Sequence, residues 1–174
     1  MPGRSVAKYA YAAILLFVIG MTLAITQHPP MTFSGRPPTI IVAITLAFVG
    51  FHLSLLPVVS ALDAPGWAKG SGYAWIVVDN VICFITYFGV GADLIIPMRW
   101  GVHLGAATWI FGASAAAGGA LRIVGWIATL AFVGASFAGP FVGVANAGQT
   151  LGPAGLLLVT WLAMVGMKLR GRAA

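Results

Sequence analysis

The sequence predicts an all-α integral membrane protein, a bundle of six transmembrane helices with both termini on the cytoplasmic side. The chain is 60% hydrophobic and 7% charged, with a mean hydropathy of +1.01, whereas soluble domains carry about 25% charged residues. Several apolar runs exceed the roughly 18 to 20 residues that cross a hydrocarbon core. Because no polar stretch is long enough to fold separately, residues 1–174 are expected to form a single transmembrane domain.

The six predicted spans cover about residues 8–27, 38–61, 73–97, 100–121, 123–144 and 150–168. The segments between them contain turn and helix-breaking residues, including "QHPPMTFSGRPP", "LDAPGWAKGSG", a break at "PMRW" and "ANAGQT". The fourth and fifth apolar runs almost touch at Arg122, so the sequence leaves open whether they are separate full spans. The first run is longer than the apolar core of a signal peptide, about 7 to 15 residues, and is interpreted as a retained helix.

Basic residues are distributed unequally between the two sides of this arrangement. One side collects Arg4, Lys8, Lys69, Arg122, Lys168, Arg170 and Arg172, and the other has Arg36 and Arg99. The positive-inside rule therefore predicts cytoplasmic termini, in a membrane of the bacterial inner-membrane type. The same residues account for the pI of about 10.1 without nucleic-acid binding, because they form no basic face.

The third predicted span carries polar residues along one helical line, within "WIVVDNVICFITYFG". The line consists of Asp79, Cys83, Thr86, Val90 and Asp93, with Asn80 and Tyr87 on its flank. An ionisable residue inside a span faces the protein interior or a water-filled cavity, and commonly marks a functional site. The predicted ligand- or proton-binding residues are Asp79, His52, Asn80, Cys83, Thr86 and Tyr87.

His52 is the expected partner of Asp79. Counted from the cytoplasmic ends of their predicted spans, Asp79 lies about 9 Å deep and His52 about 14 Å deep. The short connection makes the two helices neighbours, so the pair can meet and relay a proton. The alternative is a fixed structural hydrogen bond, since buried polar groups also hold membrane helices together.

A face of small residues is expected to let the fourth span approach another helix closely. It consists of Gly101, Gly105, Thr108, Gly112, Ala116 and Gly119. The partner is either a helix of the same bundle, a second copy of the chain, or another membrane protein. This face and the short loops favour a role in assembly.

No cofactor or metal is predicted. The three histidines are dispersed along the chain, with His103 expected near the outer end of its span and far in depth from His52. A haem held by two histidines needs both at one level, and a metal cage needs clustered ligands. The single cysteine excludes an intrachain disulfide.

Three functions remain open from the sequence. The first is a non-catalytic protein that binds a small apolar ligand or assembles with a membrane-protein partner or a second copy of itself in the lipid bilayer. The second is a small proton-coupled transporter that uses Asp79 and His52. The third is an intramembrane enzyme acting on a lipid or isoprenoid with Asp79 as its acid or base. The sequence offers this enzyme one carboxylate, without a second acid or a metal-binding motif.

Overall fold

A computed structural model describes residues 3–29 and 32–171, and these residues are helical without a β-strand. The helices are α1 (Gly3–Gln27), α2 (Thr39–Ala61), α3 (Gly66–Tyr87), α4 (Ala92–Ala117), α5 (Gly119–Val142) and α6 (Ala147–Gly171). A short 3₁₀ turn, Val144–Asn146, precedes α6. The all-α prediction is confirmed.

The six helices form a closed ring. Each helix contacts the next along the chain, and α6 contacts α1 to complete the circle. Successive helices joined by short connections run antiparallel, so the ends of α1, α3 and α5 lie with the beginnings of α2, α4 and α6. This arrangement leaves a space along the ring axis that all six helices can line.

Four helical segments are long and apolar enough to cross a membrane among the described residues: Ser5–Gln27, Thr39–Ala61, Gly119–Val142 and Val144–Gly171. They belong to α1, α2, α5 and α6, and they support the expected membrane protein and helix bundle. Helices α3 and α4 are of similar length, with 22 and 26 residues, but they are not among these four segments. Their ionisable side chains Asp79 and Arg99 face the interior of the ring, as described below.

The boundary between the third and fourth helices differs from the sequence prediction. Helix α3 ends at Tyr87 and α4 begins at Ala92, so the turn lies at residues 88–91 and not at "PMRW". Pro97 is accommodated inside α4, which membrane helices tolerate. Gly89 enables the earlier turn, because its φ of +81° is costly for other residues. A Cβ at Gly89 would also lie 2.6 Å from the carbonyl oxygen of Phe33.

The predicted small-residue face of α4 is divided between two environments. At Gly105, an added Cβ would lie 3.2 Å from the Trp75 Cβ, and at Gly112 it would overlap Ala68, so both glycines let α3 approach. Gly101, Thr108 and Ala116 are exposed. Gly119 lies outside this face, because α4 ends at Ala117 and Gly119 begins α5 with a φ of +57°.

A chain of three buried tryptophans fills the half of the ring where α1 begins and α6 ends. Trp75 stacks on Trp109 with ring centroids 6.0 Å apart, and Trp109 meets Trp161 edge to face at 5.1 Å. The Trp161 indole N–H donates to the Ser114 Oγ at 2.9 Å. Gly125 of α5 lies against both residues of this bond, where any Cβ would overlap Ser114. Close packing at small residues therefore locks α3, α4, α5 and α6 together.

Three basic side chains bind carbonyl groups near the ends of helices at one end of the bundle. The Lys69 Nζ donates to the Ser60 carbonyl at 2.9 Å, and the Lys168 Nζ donates to the Ala117 carbonyl at 2.7 Å. The Arg122 Nη2 donates to the carbonyl of residue 115 at 3.1 Å. Cations are favourable at helix C-termini, where carbonyls lack intrahelical partners. Arg172, counted with this group from the sequence, lies outside the described residues.

A candidate binding cavity at the ring centre

A cavity of about 290 Å³ lies inside the ring and is lined by residues from all six helices. Its walls are mainly apolar, with Phe17 from α1, Ile41 and Ile44 from α2, Ile95 from α4 and Leu158 from α6. These residues come from the second half of α1 and the first halves of α2, α4 and α6. The cavity therefore extends from mid-bundle toward the end of the bundle where α1 ends and α6 begins.

A polar cluster at mid-bundle forms the floor of this cavity. It consists of Asp79 and Cys83 on α3, His52 on α2, and Arg99 and His103 on α4. The Asp79 carboxylate is 1% exposed. Its Oδ2 lies 3.0 Å from the His52 Nε2 and 3.6 Å from the His103 Nε2, and its Oδ1 lies 3.3 Å from the Arg99 Nη1. One buried carboxylate thus meets three nitrogen-bearing side chains.

The guanidinium of Arg99 connects the cluster to the cavity wall. Its Nη2 lies 3.4 Å from the Cys83 Sγ, and its central carbon lies 5.8 Å from the centre of the Phe48 ring. The side chain is 18% exposed, more than any of its three polar neighbours. Arg99 therefore balances the charge of Asp79 and also presents N–H groups toward the open space.

Several buried polar atoms around the floor lack a hydrogen-bond partner among the described residues. They include the His52 Nδ1, the Trp75 Nε1 and the His103 Nδ1. The contacts of Asp79 are short, but they are not aligned as hydrogen bonds. Buried polar groups without partners cost free energy. The floor therefore retains hydrogen-bonding capacity that a bound molecule can satisfy.

Aromatic rings surround the polar cluster. The His52 ring lies 4.7 Å from that of Phe51 and 5.3 Å from that of Trp75, between centroids. The His103 ring lies 5.3 Å from that of Phe132. These contacts hold both imidazoles in place and give the floor flat, polarisable sides.

Four of the six residues that the sequence proposed as binding residues line the cavity: Asp79, His52, Cys83 and Thr86. The His52–Asp79 contact considered from sequence is present. Asn80 does not line the cavity, and its Nδ2 donates to the carbonyl of Ile76 at 2.9 Å within α3. Tyr87 lies near the end of α3, where its ring contacts that of Phe88.

Arg99 and His103 are the two functional candidates that sequence reasoning missed. The earlier turn explains the error, because α4 begins at residue 92 and places His103 about 17 Å along its helix. His103 therefore lies at the level of Asp79, contrary to the prediction that it is near the outer end and far in depth from His52. The spacing of Arg99 and His103 was a usable signal, because residues four apart share one face of a helix.

Two glycines form an open part of the wall. Gly148 and Gly152 of α6 line the cavity, and no atom lies within 4 Å of a Cβ built on either. Further along α6, Gly155 contacts the Phe17 ring of α1, which would lie 2.8 Å from an added Cβ. A Cβ added at residue 148 or 152 would therefore meet no clash.

The arrangement combines a buried acid with three nitrogen donors under an apolar chamber. It can hold a polar group by hydrogen bonds at the floor and an apolar body against the walls. A histidine beside a carboxylate can also accept and release a proton. Among the described residues, no group of three or more His, Cys, Asp or Glu is arranged to hold a metal ion.

Comparisons with known proteins supply no relative on which to base an assignment. No protein-family model matches the chain, and no curated protein or solved structure matches it either.

Proposed function

We propose that this protein is a non-catalytic membrane protein that binds a small, mainly apolar molecule in the cavity at the ring centre. The observation that carries the proposal is the combination of apolar walls with a floor of buried polar atoms that lack partners among the described residues. Ligand sites are typically concave and mostly apolar, with a few polar groups that orient the ligand. The cavity volume of about 290 Å³ suits a compact molecule or the head of a longer one.

The membrane arrangement is part of the proposal. We infer that α3 and α4 span the bilayer with the other four helices, because each is long enough and the ring encloses their charged residues. The basic residues at the ends of α3 and α6 support cytoplasmic termini. A bacterial cytoplasmic membrane is the proposed location. With Arg99 inside the bundle, the opposite end retains Arg36 as its basic residue among those described.

The proposal is tested with a substitution that reduces the free volume of the cavity. Gly152→Leu places an apolar side chain in the cavity, and Gly101→Leu places the same side chain on the exposed surface of α4, where no atom lies within 4 Å of a Cβ. The probe is 1-aminoanthracene, a compact fluorophore that brightens in apolar cavities. We expect saturable binding to the wild type and to Gly101→Leu, and binding at least about tenfold weaker to Gly152→Leu. Equal binding to both variants would place the probe outside the cavity and contradict the proposal.

Assembly with a partner is the second form of this function. It is supported by the exposed small residues Gly101, Thr108 and Ala116 on α4, but Gly105 and Gly112 are already used inside the bundle. A stable partner or dimer after purification in mild detergent would favour assembly. A monodisperse monomer that still binds the fluorophore would favour ligand binding alone.

A small proton-coupled transporter is the alternative function. The specific observation in its favour is the contact of Asp79 with two histidines on the floor of a cavity. Coupled transport requires a group that gains and loses a proton as the cavity changes access. In this case, Asp79→Asn would abolish proton-driven substrate uptake while the protein still inserts into the membrane. Asp79 is also the one acid that lines the cavity among the described residues, which gives acid–base catalysis on a lipid less support.

A further inference from the structure

We propose that the molecule held in the central cavity is uncharged and carries a carbonyl-bearing ring of the quinone type at its polar end. This inference rests on the proposed function of the cavity as a binding site. The polar ring would lie at the floor near Arg99 and His103. Its apolar substituent would extend along the aliphatic walls toward the end of the bundle where α1 ends and α6 begins.

The charges of the floor argue against an ionised head group. Asp79 and Arg99 carry opposite charges and already contact each other at 3.3 Å. A carboxylate or phosphate head at the floor would place a second anion beside the buried Asp79 carboxylate, and two like charges that share a buried site destabilise each other. A cationic head would compete with Arg99 and two histidines for one carboxylate. A neutral polar head preserves the existing balance.

The unpaired atoms indicate which neutral groups fit. The Trp75 Nε1–H can only donate a hydrogen bond. Arg99 carries five N–H groups, and its Nη1 contacts Asp79 while its Nη2 contacts Cys83, so further N–H groups are left to donate. The unpaired Nδ1 atoms of His52 and His103 can donate or accept according to the tautomer. A head group with acceptor oxygens satisfies these donors, and a carbonyl oxygen accepts without carrying a full charge.

The shape of the floor favours a flat head group. Phe51, Trp75 and Phe132 border the two histidine rings, with centroid distances of 4.7 to 5.3 Å. A planar ring can stack on these side chains or meet their edges, which adds to the free energy of binding beyond area burial. Beyond the floor, the cavity is lined by Ile41, Ile44 and other uncharged side chains. This part of the cavity has space for an apolar tail.

The experiment compares three probes with the same alkyl tail as competitors of bound 1-aminoanthracene. The first is an alkyl-substituted benzoquinone, the second an alkylbenzene without oxygen, and the third a fatty carboxylate. We expect the benzoquinone to compete at least about tenfold better than the other two. In His103→Phe, which keeps an aromatic ring against Phe132 but removes both nitrogens, we expect about a tenfold loss for the benzoquinone and no change for the alkylbenzene. Gly101→Leu is the control that should change none of the affinities.

The outcomes separate this inference from the proposed function. Equal competition by the alkylbenzene would mean that the floor does not recognise a polar head, and stronger competition by the carboxylate would mean that it recognises an anion. Either result overturns the carbonyl-ring proposal and leaves the cavity as a binding site. If 1-aminoanthracene itself binds wild type and Gly152→Leu equally, the binding function and this inference both fail.

Discussion

Replacing Arg99 by Gln isolates the negative charge of Asp79 inside the bundle. The carboxylate is 1% exposed and lies 3.3 Å from the guanidinium, a separation at which opposite charges attract by about 5 kcal/mol at an effective dielectric of about 20. Breaking a buried pair by removing one partner typically costs about 3 to 5 kcal/mol. We expect about 3 kcal/mol, at the lower end, because Arg99 is 18% exposed and solvent weakens the interaction of a partly exposed charge.

The assay is unfolding in increasing sodium dodecyl sulfate in mixed micelles, followed by circular dichroism. Arg99→Gln should unfold at a lower detergent fraction than wild type, and the double variant Asp79→Asn/Arg99→Gln should recover at least half of the loss because no charge remains unpaired. Arg36→Gln, a change at an exposed loop residue, is the matched control for loss of one cation. If Arg99→Gln matches this control, or the two substitutions are additive in the double variant, the buried charge pair does not exist as described.

Two further predictions concern packing and access. Gly125→Ala should lower the free energy of unfolding by about 1 to 3 kcal/mol, because its methyl group would overlap Ser114 and disturb the hydrogen bond from Trp161. Gly134→Ala on the same helix, where nothing lies within 4 Å of an added Cβ, should raise the free energy of unfolding by up to about 1 kcal/mol. Equal shifts of the two variants in detergent unfolding would refute the contact assigned to Gly125. Cys83 is 2% exposed and lines the cavity, so a small methanethiosulfonate should modify its thiol faster than a bulky maleimide does. Mass-spectrometric time courses should also show slower modification by the small reagent in Gly152→Leu than in the wild type. Equal rates for the two reagents in the wild type would show that the thiol is reached by another route.

The helical architecture was predictable because composition and apolar run length directly reflect the requirements of a bilayer. The Asp79–His52 contact was accessible for a related reason, since a charge within an apolar run must face inward and adjacent helices place residues of similar depth together. These arguments use only distance along the chain and the cost of burying polar groups. They do not require knowledge of side-chain geometry.

The positions of Arg99 and His103 in the site could not be predicted from the sequence, because they depend on where one turn lies. Proline and a charge at residues 97–99 favour a break by local rules, but Gly89 offers the positive φ for a turn ten residues earlier, and tertiary contact with Phe33 covers it. That shift moved Arg99 and His103 from the expected outer surface to the cavity floor. The packing of Trp75 and Trp100 was likewise not predictable, because each side chain is buried against a glycine of a neighbouring helix, Gly105 and Gly139 respectively.

The placement of the turn at residues 88–91 has a consequence for biosynthesis. Asp79 lies eight residues before the end of α3, and Arg99 lies seven residues after the start of α4, so the two charges stand almost symmetrically about the turn. If α3 and α4 span the membrane as proposed, either helix alone would bring an unpaired charge into lipid, at a cost of about 2.5 to 3.5 kcal/mol for insertion by the translocon. Folded together as a hairpin, the two helices would enter the bilayer with their opposite charges paired. In the proposed arrangement, the pair that lies beneath the cavity would therefore also lower the cost of inserting α3 and α4 into the membrane.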